Sequence, residues 1–142
     1  MKRKRLLLLC GVLAVLLSGI YITVNAFFPK ANPIRYPEPE EIISAYTSVN
    51  TPDASIPLSE KEYGDLIELI RTAKPTRRQS LNDTPSAFGY YTIEITTAER
   101  DYRYFVYEKD ADIYIEVPYE GIYSSDIQIL NYILKYHQEG AL

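Results

Sequence analysis

Arg77 and Arg78 stand side by side in a polar run, residues 76–85, that also carries Ser80, Asn82 and Asp83. Guanidinium forks donate in pairs to carboxylate or phosphate oxygens. One reading of the run is therefore a loop that binds an anionic group or a charged partner surface. The other is structural: Ser, Asn and Asp side chains bond nearby amides and brace turns, and Pro85 then leads into a strand. A second stretch, residues 118–123, holds Tyr119, Gly121 and Tyr123 and follows Glu116. It reads as a turn at Glu120 and Gly121 that links the last strand to the last helix. If that link lies beside the arginines, then Arg77, Arg78, Asn82, Asp83, Glu116, Tyr119 and Tyr123 form one polar-aromatic binding pocket.

Catalytic chemistry finds few candidates. His137 is the only histidine and Cys10 the only cysteine, and one histidine near a helix end with no cysteine beyond the leader supports neither a catalytic triad nor a zinc site. His137 near a helix end reads as a residue favourable to the helix dipole. The Asp110, Ala111, Asp112 run is too short for a calcium loop and reads as a hairpin turn. Glu94, Glu108 and Glu116 fall on predicted strands, where acidic residues ordinarily form a solvated face; a hydrolytic carboxylate pair is the alternative. The expectation is no catalytic residue, no cofactor and no metal. Tyrosine is unusually abundant, 14 residues against four Phe and no Trp. Tyr90, Tyr102, Tyr104 and Tyr114 are candidates for one recognition face, against the plainer reading that tyrosine suits strands.

These residues need elements to position them. Residues 2–5 are all basic, and residues 6–28 carry no charge. As a helix rising about 1.5 Å per residue, that stretch spans the roughly 30 Å hydrocarbon layer. The basic flank predicts a cytoplasmic N-terminus with the remainder across the membrane. Two fates are open: an uncleaved single-pass anchor, or a signal peptide cut near Ala26 and a secreted domain. Cys10 follows too few apolar residues for a lipoprotein signal and reads as a small apolar residue of the anchor. Prolines at 29, 33, 37 and 39 forbid helix or central strand, so residues 29–40 read as an extended stalk. Residues 41–142 then form one extracytoplasmic domain. Beyond the leader eleven basic residues face 19 acidic ones, a net charge of −8. That balance argues against nucleic acid and anionic lipid surfaces as partners.

Within the domain, residues 41–49 alternate as a first strand, and residues 50–57 are rich in turn residues. Ser59 and Glu62 form a capping box, followed by Tyr63, Leu66, Ile67 and Ile70 on one helical face. Pro75 ends that helix. From Phe88 the period changes to two, giving three strands joined by turns near residues 98–101 and 109–112. Ser125 and Gln128 suggest a second capping box. Ile127, Leu130, Ile133 and Leu134 then form a closing helix that stops near Gly140. The order strand, helix, three strands, helix predicts an α+β, two-layer domain with a mostly antiparallel sheet.

Two segments carry a family likeness: Thr76-Arg77-Arg78-Gln79-Ser80-Leu81-Asn82-Asp83-Thr84-Pro85 and Tyr114-Ile115-Glu116-Val117-Pro118-Tyr119-Glu120-Gly121-Ile122-Tyr123. Together they resemble an uncharacterised domain family of small exported or membrane-anchored proteins of Gram-positive Firmicutes, over about residues 40–138. The family pattern has Gln where this chain has Val117. The resemblance implies a compartment and a fold, and no activity. The expected function is a non-catalytic, membrane-anchored binding or sensing module of the bacterial cell envelope with a protein or peptide partner. An accessory or immunity-type membrane subunit is the alternative, and an unrecognised hydrolase a more distant one.

Overall fold

Alternating side chains bury one face of a strand at a time, so residues 91–125 assemble as a meander whose register follows that alternation. The computed structural model describes residues 2–50 and 55–139. Residues 51–54 of the expected loop and the expected helix stop at Gly140 lie outside the described residues. The elements are α1 (Lys2–Phe27), β1 (Ile42–Val49), β2 (Ile56–Pro57), α2 (Glu60–Arg71), β3 (Lys74–Pro75), β4 (Tyr91–Thr97), β5 (Asp101–Lys109), β6 (Asp112–Val117), β7 (Gly121–Ser125) and α3 (Ile127–Glu139). The seven strands form one sheet in the order β2-β1-β4-β5-β6-β7-β3, with every pairing antiparallel. The α+β class with an antiparallel sheet behind an N-terminal apolar helix is as expected.

The chain divides into two compact units, residues 1–30 and 31–142. In the first, residues 6–27 of α1, with a mean hydropathy of 2.5 over 18 residues, are long and apolar enough to cross a membrane. A signal sequence has the same length and composition. Its few polar side chains are turned inward on the backbone. Ser18 Oγ, Thr23 Oγ1 and Asn25 Nδ2 each donate to the carbonyl four residues earlier at 2.8 Å, which suits an apolar surrounding.

In the second unit, α2 and α3 cover one face of the sheet. Leu66, Ile67 and Ile70 of α2 and Ile129, Leu130 and Ile133 of α3 pack against Ala45, Ile93, Ile95, Val106, Ile113 and Ile115. Each fully buried aliphatic side chain contributes about 1.5–3 kcal/mol. The capping box of α2 forms as the sequence predicts, the Ser59 N–H donating to Glu62 Oε2 at 2.6 Å. Contact with the Ser59 amide holds the Glu62 carboxyl below its ordinary value.

Four expectations are corrected. Residues 121–125 are a strand, not a link: β7 pairs with β6 from Val117 opposite Gly121 to Ile113 opposite Ser125. The turn before it centres on Tyr119, at φ 62°. Because Ser125 belongs to the ladder, Asp126 caps α3 in its place, its Oδ1 accepting from the Gln128 N–H at 2.9 Å. The proline segment is extended but does not stand free. Ile34 and Pro37 are buried, the Ala31 N–H donates to the Thr76 carbonyl at 2.9 Å, and the Tyr104 hydroxyl donates to the Arg35 carbonyl at 2.7 Å. An apolar residue between prolines can still seek the core, and proline's fixed φ favours an extended path along it. Finally, the tyrosines divide between faces. Tyr102 and Tyr104 stack at 6.4 Å on the helix-covered face, whereas Tyr114 lies against Tyr107 and Tyr90 against Phe105 on the other.

The hairpin turn at Asp110 and Ala111 is as read from sequence. Both residues have positive φ, 55° and 67°, the geometry of a two-residue turn that matches strand twist.

Candidate functional site

The connector, residues 76–90, packs on part of the second face of the sheet, leaving Glu94 and Arg103 of that face partly exposed. Backbone bonds tie its start to β7: the Thr76 N–H donates to the Ile122 carbonyl at 3.1 Å, and the Ile122 N–H to the Arg78 carbonyl at 3.2 Å. Thr76 Oγ1 donates to the same Ile122 carbonyl at 2.6 Å and accepts the Arg78 N–H at 3.1 Å. Deeper in, Ser80 Oγ donates to Glu116 Oε1 at 2.7 Å, and the Tyr107 hydroxyl donates to Glu116 Oε2 at 3.0 Å. All three residues are buried. Burial, reinforced by the neighbouring carboxylate, pushes the Tyr107 phenol well above its ordinary range, which keeps it a donor.

Six of the seven residues expected to meet lie on or against this connector. The Arg78 guanidinium lies 4.9 Å over the Tyr114 ring. Asn82 shares with Arg78 and Glu116 the lining of a hollow of about 300 Å³. Asp83 accepts the Tyr119 hydroxyl at 2.8 Å, which raises the Tyr119 phenol. Arg77 is exposed on the same connector. Tyr123 is not brought there. Glu116 pairs with Ile122, so strand alternation turns Tyr123 to the helix-covered face, where it is fully buried with its hydroxyl unpartnered. The connector is a fastener in this arrangement. Its serine hydroxyl is committed to a buried carboxylate, and the nearest charged side chain stacks on a ring.

A larger feature went unread in the sequence. A cleft of about 420 Å³ lies beside the first half of β5, lined among others by Arg35, Glu94, Arg100, Tyr102, Arg103 and Glu120. Its origin is a mismatch in strand length. β5 has nine residues and β6 six. Across their tight turn the ladder runs only from Lys109 opposite Asp112 to Phe105 opposite Glu116. Residues 101–104 therefore pair with β4 alone. The Thr97 N–H donates to the Arg100 carbonyl at 3.1 Å. Bonding partners alternate along an antiparallel strand, so Tyr102 and Tyr104 direct their backbone groups to β4, and Asp101 and Arg103 direct theirs into the cleft.

The cleft's side chains are held in place. Arg100 lies 4.0 Å over the Tyr102 ring, Tyr102 stacks on Tyr104, and Tyr104 is bonded to the Arg35 carbonyl. Arg103 Nε donates to Glu94 Oε1 at 2.9 Å. The legible signal was the length difference: Pro118 stops β6 three residues before β5 runs out. His137 proves to be a packing residue, tilted against Tyr91 at 5.4 Å and 3.3 Å from Thr47 Oγ1, with burial lowering its pKa. Among the described residues no three His, Cys, Asp or Glu side chains gather as a metal site.

Fold and site together define a small α+β domain with an antiparallel sheet covered by helices on one face and partly by a bonded connector on the other, following an apolar N-terminal helix. The chain belongs to the DUF5301 family, described as "Domain of unknown function (DUF5300)", whose model matches residues 30–124. The match begins at the docked proline segment. A solved structure described as "NMR structure of the protein from Ruminococcus gnavus" is similar at 31% identity and a TM-score of 0.54, covering 66% of this chain and 91% of that one. No curated protein matches.

Proposed function

We propose that this chain is a non-catalytic recognition module of the bacterial cell envelope, held at the membrane by α1, that retains a protein or peptide partner in the cleft beside β5. The observation that carries the reading is the open stretch of β5: backbone groups of an interior strand, flanked by ordered tyrosines and arginines, are available in a cleft of binding-site size. Rigid aromatics beside adaptable charged groups suit protein recognition. The connector that holds Arg77 and Arg78 supports the fold of this module, and the recognition surface moves to Arg35, Arg100 and Arg103. The basic residues in the first turn of α1 favour a cytoplasmic N-terminus and an external domain. Cleavage near Ala26 would release the domain instead, and the intact mass of the mature protein distinguishes the two.

Site-specific photocrosslinking in intact cells tests the reading. A photoreactive residue replacing Tyr102 is expected to give discrete adducts that one placed at Lys61, on exposed α2, does not. The adducts are expected to vanish with Arg100→Glu. Adducts that are identical at both positions, or that persist with Arg100→Glu, overturn the reading.

A further inference from the structure

Resting on the recognition reading above, we infer that the occupant of the cleft is an extended peptide segment of the partner, held as a short added strand by the backbones of Asp101 and Arg103. Three observations converge. The first is register. Asp101 and Arg103 each present an N–H and a carbonyl to the cleft, two residues apart, which is the spacing at which an antiparallel or parallel neighbour bonds. Strand addition of this kind takes affinity from main-chain bonds and selectivity from alternate side chains.

The second is that the two outermost strands are guarded. The outer strands β2 and β3 are two residues long and carry Pro57 and Pro75, devices that discourage pairing by a foreign strand. The open stretch of β5 lies inside the sheet and has no proline. The third is size. Residues 101–104 span roughly 13 Å at strand rise, and the turn carrying Tyr119 closes the end where β6 stops. The cleft thus admits about three or four residues of extended chain, entering from the β4–β5 hairpin end.

The two faces of the cleft set the side-chain preference. On one, Tyr102 with Arg100 stacked above it offers an aromatic surface. On the other, the Arg103–Glu94 ion pair and Thr96 offer a polar one. An occupant that alternates apolar or aromatic residues with polar or charged ones matches both.

The experiment uses the full chain in nanodiscs. A phage-displayed heptapeptide library is panned against it, the enriched peptide is synthesised, and backbone N-methylation is scanned along it. The expected result is an affinity loss of about tenfold at alternate residues and little change between them. Arg103→Pro, which deletes a cleft-facing N–H and leaves the β4 ladder intact, is expected to lose a similar factor, whereas Arg103→Ala loses less. Amide exchange at Asp101 and Arg103 is expected to slow when the peptide binds. An N-methyl scan without alternation, with exchange unchanged, overturns strand addition while leaving recognition standing. Peptides that bind equally to the Arg100→Glu variant place the site elsewhere and overturn both. Slowing of the Asp101 and Arg103 amides without peptide, rising with protein concentration, assigns the edge to a second copy of this chain and overturns the peptide proposal.

Discussion

One buried carboxylate, that of Glu116, ties the connector to the sheet, taking a donor from the connector at Ser80 and a second from β5 at Tyr107. Ser80→Ala leaves one carboxylate oxygen without that donor and is expected to cost about 1–3 kcal/mol, read as a lower urea midpoint at unchanged m-value. The tyrosines give a pH signature at the same scale. Burial raises the phenols of Tyr104, Tyr107 and Tyr132 above their ordinary value. In the unfolded chain these groups ionise normally, near pH 10. Above that pH the unfolded state has released protons that the folded state keeps, so stability is full below about pH 10 and falls as pH rises further. Tyrosinate absorbance during alkaline titration is expected to leave a fraction of the tyrosines un-ionised until a cooperative unfolding step releases them. A smooth titration of all tyrosines before unfolding would count against their burial.

At the scale of elements, the docked proline segment makes one very close approach to β7. A Cβ on Gly121 would come within 2.5 Å of the Ala31 Cβ, at a φ of 156° that side chains rarely adopt. Gly121→Ala is therefore expected to destabilise the domain by more than about 1 kcal/mol and to expose residues 29–38 to proteolysis. Ala31→Gly in the same chain is expected to recover part of the loss, since it removes the collision and leaves the strained φ. A double-mutant cycle by thermal unfolding measures that coupling. A cycle with no coupling would mean that the segment does not rest on β7. The β5–β6 pair makes a related point. A tight turn joining strands of nine and six residues must leave one end unmatched, and the cleft is that end.

For the whole molecule, the boundary of the folded unit is the testable quantity. Residues 31–142 form one compact unit. A chain beginning at Ala31 is expected to unfold at the same urea midpoint as the domain in the full-length protein. A chain beginning at residue 41 loses buried Ile34 and the acceptor for Tyr104. It is expected to be less stable by roughly 3–5 kcal/mol. Equal stability of the two chains would restore the free stalk. The family match from residue 30 agrees with the longer unit.

Much of this architecture is local in origin and was legible in the residues. The apolar run of α1, the Ser59–Glu62 cap, the helical stripe of Leu66, Ile67 and Ile70, and the period of two after Phe88 are all spacings along the chain. Helix and strand geometry convert such spacings directly into faces. The types of α1, β1, α2, β4, β5, β6 and α3 and the α+β class were therefore determined by the sequence alone, whereas β2, β3 and β7 are strands only by their pairing. Tertiary structure decided what depends on pairing between distant residues. Tyr123 lies opposite Ile115, which turns it from the expected pocket into the core. Ser125 joins a ladder, which passes the cap to Asp126. Ile34 finds a core that only the assembled sheet provides. The cleft exists because β5 outruns β6 and nothing described in the chain fills the difference. Register and overhang are properties of two strands together, and no single stretch of sequence carries them.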